Sequence, residues 1–146
     1  MSSRIARQMM ELALESGGCI KFDLKSADEN LHIALTGVSN ARTWENLSIL
    51  AEYIPKRPIP PPLVASSLLV PGYVDETEVA EIARRLADLN PEIPYSLLGF
   101  HPCHHMSDLP TTSRAHAQRC YRAALGAGLS RVNLANLHLL SGYDYG

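Results

Sequence analysis

Three short stretches of this sequence stand out, Lys21-Phe-Asp-Leu-Lys25, Val70-Pro-Gly72 and His101-Pro-Cys-His-His105, and the first and third carry side chains able to hold a ligand or move a proton. In the first, Lys21, Asp23 and Lys25 alternate with Ile20, Phe22 and Leu24, so a strand here carries charge on one face and oil on the other. A charged face of that kind is open to water, pairs with itself, or is turned to a polar ligand, because a buried charge needs a partner. The third stretch puts four potential metal ligands into five residues. Tetrahedral zinc needs three or four converging ligands, and adjacent histidines such as His104 and His105 seldom reach one ion. A zinc site built on His101, Cys103 and His105 therefore stands beside adventitious metal binding to a solvated loop. His101 alone, just past a strand end, either meets a ligand's ring or hydroxyls or packs against the strand. Cys103 lacks the surroundings of a nucleophile motif, and Cys19 and Cys120 read as core residues.

These stretches need elements to hold them. Ile5, Met9, Leu12 and Ala13 recur at helical spacing over Ser3 to Glu15, and Gly17-Gly18 stops that helix. A strand from Cys19 to Leu24 follows, then a short polar stretch. Next comes a helix through Trp44, Leu47, Leu50 and Ala51, capped by Asn40 or Thr43. The proline-rich run Ile54 to Pro62 is an extended connector. A strand over Leu63 to Val70 leads to a helix opened by Asp75 or Thr77, with Val79, Ile82, Ala83 and Leu86 on its apolar face. Tyr95 to Phe100 forms a third strand, Thr112 or Ser113 opens another helix ending at Gly126 or Gly128, and Arg131 to Ala135 forms a fourth strand. The tail Ser141 to Gly146 carries no signal. Alternation of this kind predicts an α/β fold with a parallel sheet and βαβ crossovers. About four strands with flanking helices make an open sheet or a partial, half TIM-type β/α barrel. The strand C-termini of such folds carry the site, which gathers all three stretches on one rim.

Composition narrows the function classes. With 146 residues, 46% of them hydrophobic and 19% charged, the chain can bury the core of a single domain. The net charge of −2 is spread along the sequence, which leaves no basic stripe for nucleic acid. No apolar run reaches the roughly 18 residues a bilayer span requires, so no membrane contact is expected. The three widely spaced cysteines suit a reducing compartment, and a cytoplasmic location is the expectation.

Taken in order, Lys21-Phe-Asp-Leu-Lys25, His32 with Leu35-Thr-Gly-Val-Ser-Asn40, Leu69-Val-Pro-Gly72, and Leu97-Leu-Gly-Phe-His-Pro102 with Asp108-Leu-Pro110 resemble the second half of radical S-adenosylmethionine (SAM) enzymes of the pyruvate formate-lyase-activating type. The resemblance runs from about Gly17 to Asn136, and its strength lies in the ordered set, since no single segment is specific. It implies that residues 1–146 form the C-terminal half of a (β/α)6 partial barrel. In that family a [4Fe-4S] cluster binds SAM and cleaves it reductively to a 5′-deoxyadenosyl radical, and a protein substrate is a possible partner. The resemblance further implies that Asp23 and Lys25 contact the ribose and methionyl parts of SAM and that His101 lies near the adenosine. Ser66 stands at a cofactor-contacting position where the formate-lyase activators carry arginine, a departure that changes how the SAM carboxylate is held. The family's CxxxCxxC loop does not occur in these residues, and Cys19, Cys103 and Cys120 do not have its spacing. The expectation is a SAM-contacting portion that is inactive alone and self-associates through its exposed half-barrel edge. The alternative is a non-catalytic remnant that binds a ligand or a partner.

Overall fold

The computed structural model describes residues 1–145, so of the tail only Gly146 lies outside the described residues. Four parallel strands form one sheet in the order β1-β2-β3-β4: β1 (Ile20–Asp23), β2 (Leu63–Leu69), β3 (Tyr95–Gly99) and β4 (Val132–Ala135). Five α-helices accompany them: α1 (Ser3–Ser16), α2 (Glu29–Thr36), α3 (Ala41–Ala51), α4 (Glu76–Leu89) and α5 (Arg114–Gly126). This is the α/β half-barrel architecture that the alternation of elements predicts. No helix among the described residues is long and apolar enough to cross a membrane.

Register fixes the two faces of the sheet. Phe22 lies opposite Ala65, Ala65 opposite Tyr95, and Tyr95 opposite Val132, and this row packs against the helices. Ala6 and Met10 of α1, Leu47 and Leu50 of α3, Ile82 and Leu86 of α4, and Ala117 and Cys120 of α5 complete a single core with Leu63, Leu69, Tyr95 and Leu97. Full burial of each large aliphatic side chain contributes about 1.5–3 kcal/mol. The opposite row, in which Asp23 meets Ser66, Ser66 meets Ser96 and Ser96 meets Asn133, is the more open one: Asp23 and Asn133 are exposed, Ser96 is half-buried and only Ser66 is buried.

The caps follow local chemistry. The Asp75 carboxylate accepts the Glu78 N–H at 2.9 Å to open α4, and Ser113 Oγ accepts the His116 N–H at 3.0 Å to open α5. Asn40 stands at the start of α3 but makes no capping bond. The connector after α3 is not uniformly extended, since Ile54–Lys56 forms a turn of 3-10 helix.

Three expectations are corrected. Helix α2 fills the polar stretch after β1; Asp28 caps it through the Leu31 N–H at 2.7 Å, and Gly37 closes it at a positive φ of 78°. In α1, Ala6, Met10 and Ala13 face the core while Ile5, Met9 and Leu12 are exposed, Leu12 by 64%. Two apolar stripes of the same period lie about 100° apart on this helix, and the small alanines let α1 approach its neighbours closely. Cys19 precedes β1 and is exposed, because only the residues from Ile20 onward join the sheet. Cys120 is buried as expected, and that burial pushes its thiol up to about 12.

Candidate functional site

At the C-terminal end of β1 the sheet's open face gathers charge. Ser66 Oγ donates to Asp23 Oδ1 at 2.6 Å, while Lys21 Nζ lies 3.6 Å and Lys25 Nζ 3.7 Å from the same carboxylate. The Ser66 hydrogen bond holds the Asp23 carboxyl below the usual range; partial burial opposes it and the two lysines assist. Asp23 therefore remains an anion and an acceptor at neutral pH. The three charged side chains are about half exposed, at 55% for Asp23, 52% for Lys21 and 42% for Lys25, whereas Ser66 is buried. Of the three meanings open for this charged strand, water exposure and internal pairing both hold, and both leave the groups reachable by a ligand.

Buried hydroxyls hold the strand ends in place. Tyr95 Oη donates to Ser67 Oγ at 2.8 Å, and Ser67 Oγ donates to the Leu24 carbonyl at 2.6 Å, so β3, β2 and the end of β1 form one chain of bonds. Burial pushes the Tyr95 phenol far above its ordinary value, which keeps it a neutral donor. Thr112, before α5, does the same one strand further along. Its hydroxyl accepts the Phe100 N–H at 2.7 Å and donates to the Leu69 carbonyl at 2.7 Å, tying the Val70-Pro-Gly72 turn to the His101 segment.

His101 follows β3 on the same rim, two strand spacings or about 10 Å from the β1 row. It is exposed, with Nδ1 3.0 Å from the Pro102 carbonyl, so the packed alternative for this residue fails. Asp23, Lys25 and Ser66 are thus brought together, and His101 stands apart from them. A cleft of about 690 Å³ opens beside Lys21, Phe22 and Asp23, bounded by Val38, Ser39 and Arg42. A separate one of about 530 Å³ opens beside His101, His138 and Tyr143. Among the described residues no three His, Cys, Asp or Glu side chains converge as a metal site, and His101, Cys103 and His105 are no exception.

Sequence reasoning passed over the groups that hold these residues. Ser67 and Tyr95 fall within the expected strands and Thr112 reads as a cap, and nothing in the sequence singles out Glu78. Only the excess of hydroxyls in an otherwise apolar strand, Ser66-Ser67, signalled a polar role, since buried parallel strands are usually apolar throughout.

Comparison with known proteins gives a consistent picture. No protein-family model matches the chain. An isethionate sulfite-lyase activating enzyme of Oleidesulfovibrio alaskensis is 38% identical over 93 residues, covering 63% of this chain and 28% of the relative. One from Desulfovibrio desulfuricans is 33% identical over 82 residues, 56% of this chain and 25% of the relative. A putative glycyl-radical enzyme activating enzyme of Methanocaldococcus jannaschii is 33% identical over 81 residues, 56% of this chain and 30% of the relative. In structure, a domain of pyruvate-formate lyase-activating enzyme from Bacteroides vulgatus matches with a TM-score of 0.65 and 25% identity over 87% of this chain and 73% of that one. The matches span 25–30% of the length of these curated relatives. Sequence order, relatives and shared fold agree on one kinship: the chain is related to radical SAM activating enzymes of the pyruvate formate-lyase-activating type and matches a part of them.

Proposed function

We propose that this chain is the SAM-contacting portion, the C-terminal half, of a radical SAM activating enzyme. The observation that carries the reading is an anionic carboxylate fixed by a buried serine and flanked by two ammonium groups, the three charges about half exposed on the open face of a parallel half-barrel. This donor set fits an adenosyl amino acid. Asp23 accepts hydrogen bonds from ribose hydroxyls, and Lys25 pairs with the methionyl carboxylate, a task to which arginine contributes in the formate-lyase activators where Ser66 stands here. His101 faces the adenosine end from across the rim. SAM supplies the radical precursor in this family through its reductive cleavage.

The residues present do not fit the iron–sulfur cluster. Cys19 is exposed ahead of β1, Cys103 is exposed on the loop after β3, and Cys120 is buried in α5, so no three thiols converge. SAM cleavage therefore depends on cluster-bearing residues outside this sequence. The partner that fits the relatives' printed names is a protein substrate of the glycyl-radical enzyme class, and a cytoplasmic setting accords with that chemistry.

The test is a SAM titration of the isotopically labelled chain by NMR. Binding is expected to shift the amides of Asp23 to Lys25 and to be lost in Asp23→Ala with the fold intact. A response confined to other surfaces sinks the reading. The purified chain under reducing conditions is expected to yield no 5′-deoxyadenosine, and its formation would show that the chain holds a cluster after all.

A further inference from the structure

Beyond Leu24 the sheet no longer holds the chain. The Leu24 N–H reaches the Ser66 carbonyl at 2.8 Å, and Ser26, the next residue whose backbone would face β2 in this register, makes no backbone hydrogen bond to it. The direction of Lys25 is set instead by the turn that follows, Ser26 to Asp28. The polar groups of that turn are matched by two side chains from distant parts of the sequence. Oε1 of Glu78, in the first turn of α4, accepts from Ser26 Oγ at 2.6 Å, from the Ala27 N–H, and from the Asp28 N–H at 3.1 Å. From the other side, Asn40 Nδ2 donates to the Ser26 carbonyl at 3.2 Å and to the Ala27 carbonyl at 3.0 Å.

The placement leaves α3 without a side-chain cap, while α4 keeps the one Asp75 makes. Asn40 occupies a capping position yet makes no cap bond to α3, and its Nδ2 donates to the turn instead. Ser26, Ala27 and Asn40 are each at most 5% exposed, so water does not substitute for these bonds. Glu78 lies in the first turn of α4, the helix that follows the loop after β2, so its carboxylate ties the turn after β1 to the start of that helix.

We propose that Glu78 and Asn40 are positioning residues of the SAM site: neither touches the ligand, and together they set the turn that aims Lys25 and fixes the end of the Asp23 strand. The proposal rests on the functional reading above and adds to it the residues through which that strand end is held.

The experiment uses the labelled full chain and two readouts. The first is amide hydrogen exchange without ligand. Glu78→Ala and Asn40→Ala are expected to speed exchange at Ala27 and Asp28 by about tenfold or more, while the Leu97 amide in the sheet centre stays as protected as before. The second is SAM titration, in which each variant is expected to bind about tenfold more weakly. Glu78→Gln keeps the shape and one acceptor oxygen and is expected to recover part of both effects. Should Glu78→Ala unfold the chain, Glu78→Gln and Asn40→Ala carry the same two measurements. Unchanged exchange at Ala27 and Asp28 overturns the clamp, and faster exchange with unchanged SAM affinity overturns the positioning role. If the wild-type chain shows no SAM shift at Asp23 to Lys25, the functional reading falls and the positioning role falls with it; exchange measured without ligand separates that failure from a failure of the clamp.

Discussion

Removing the Ser67 hydroxyl tests whether the buried chain of bonds under the site has the weight its geometry assigns. In Ser67→Ala the Tyr95 phenol loses its acceptor and the Leu24 carbonyl loses its donor, and both groups stay in the core. Each orphaned buried group costs about 1–3 kcal/mol, so the variant should lose about 3 kcal/mol overall. For a chain of this length the unfolding entropy at the midpoint is about 0.3 kcal/mol per degree, which converts that loss into a fall in Tm of about 10 °C. Tyr95→Phe alone removes one net hydrogen bond and should cost about 1 kcal/mol, since Ser67 still donates to Leu24. The double variant has no stranded phenol and should cost no more than Ser67→Ala, a departure from additivity of about 1 kcal/mol or more. Thermal and urea unfolding followed by circular dichroism measures all three. Costs that add to within about 0.5 kcal/mol, or a Ser67→Ala penalty below about 1 kcal/mol, would refute the assignment of these bonds.

Further expectations follow from the same geometry. The Asp23 carboxyl carbon should titrate by NMR below a free aspartate, and Ser66→Ala should move it upward, because the serine bond is the largest cause of the lowering. Glu81 is pushed down to about 2 by its hydrogen bonds to Arg84 and Arg85. A depressed carboxyl stabilises the fold above its unfolded value near 4.5 and loses that contribution as pH falls toward 2, so Glu81→Gln should flatten the acid limb of a stability–pH curve between those values. On α1, Met10→Ala should cost about 2–5 kcal/mol and Leu12→Ser less than about 0.5 kcal/mol, and the reverse order would mean that the helix packs through its other stripe. Self-association through the uncovered edge of β1 should raise the scattering mass with concentration, and a strict monomer at high concentration would count against it.

The strands were legible because β2 and β3 are apolar runs bounded by proline and glycine, and α4 because its stripe has one phase. α1 was legible as a helix but not in its rotation, since Ile5, Met9, Leu12 and Ala6, Met10, Ala13 repeat with equal period and periodicity cannot choose between them. α2 was missed because only His32 is buried on it; its signals are end signals, Asp28 before it and Gly37 after it. For the site, the alternation of Lys21, Asp23 and Lys25 showed which groups share a face. What steadies them was not visible, since Ser66, Ser67, Asn40 and Glu78 act on partners far away in sequence that only the folded sheet brings near.

The order of the strands in space equals their order in the chain, and every pair runs parallel. Each strand thus docks on a neighbour synthesised just before it, and the sheet can lengthen by repeating one step without moving what is already built. The pairing of Leu24 and Ser66 places the outward amides and carbonyls of Lys21 and Asp23 on the unoccupied side of β1. The residues that carry the candidate chemistry therefore sit on the first-built strand of the array, at the end opposite to the one that lengthens, and any strand laid along that edge arrives beside the charges.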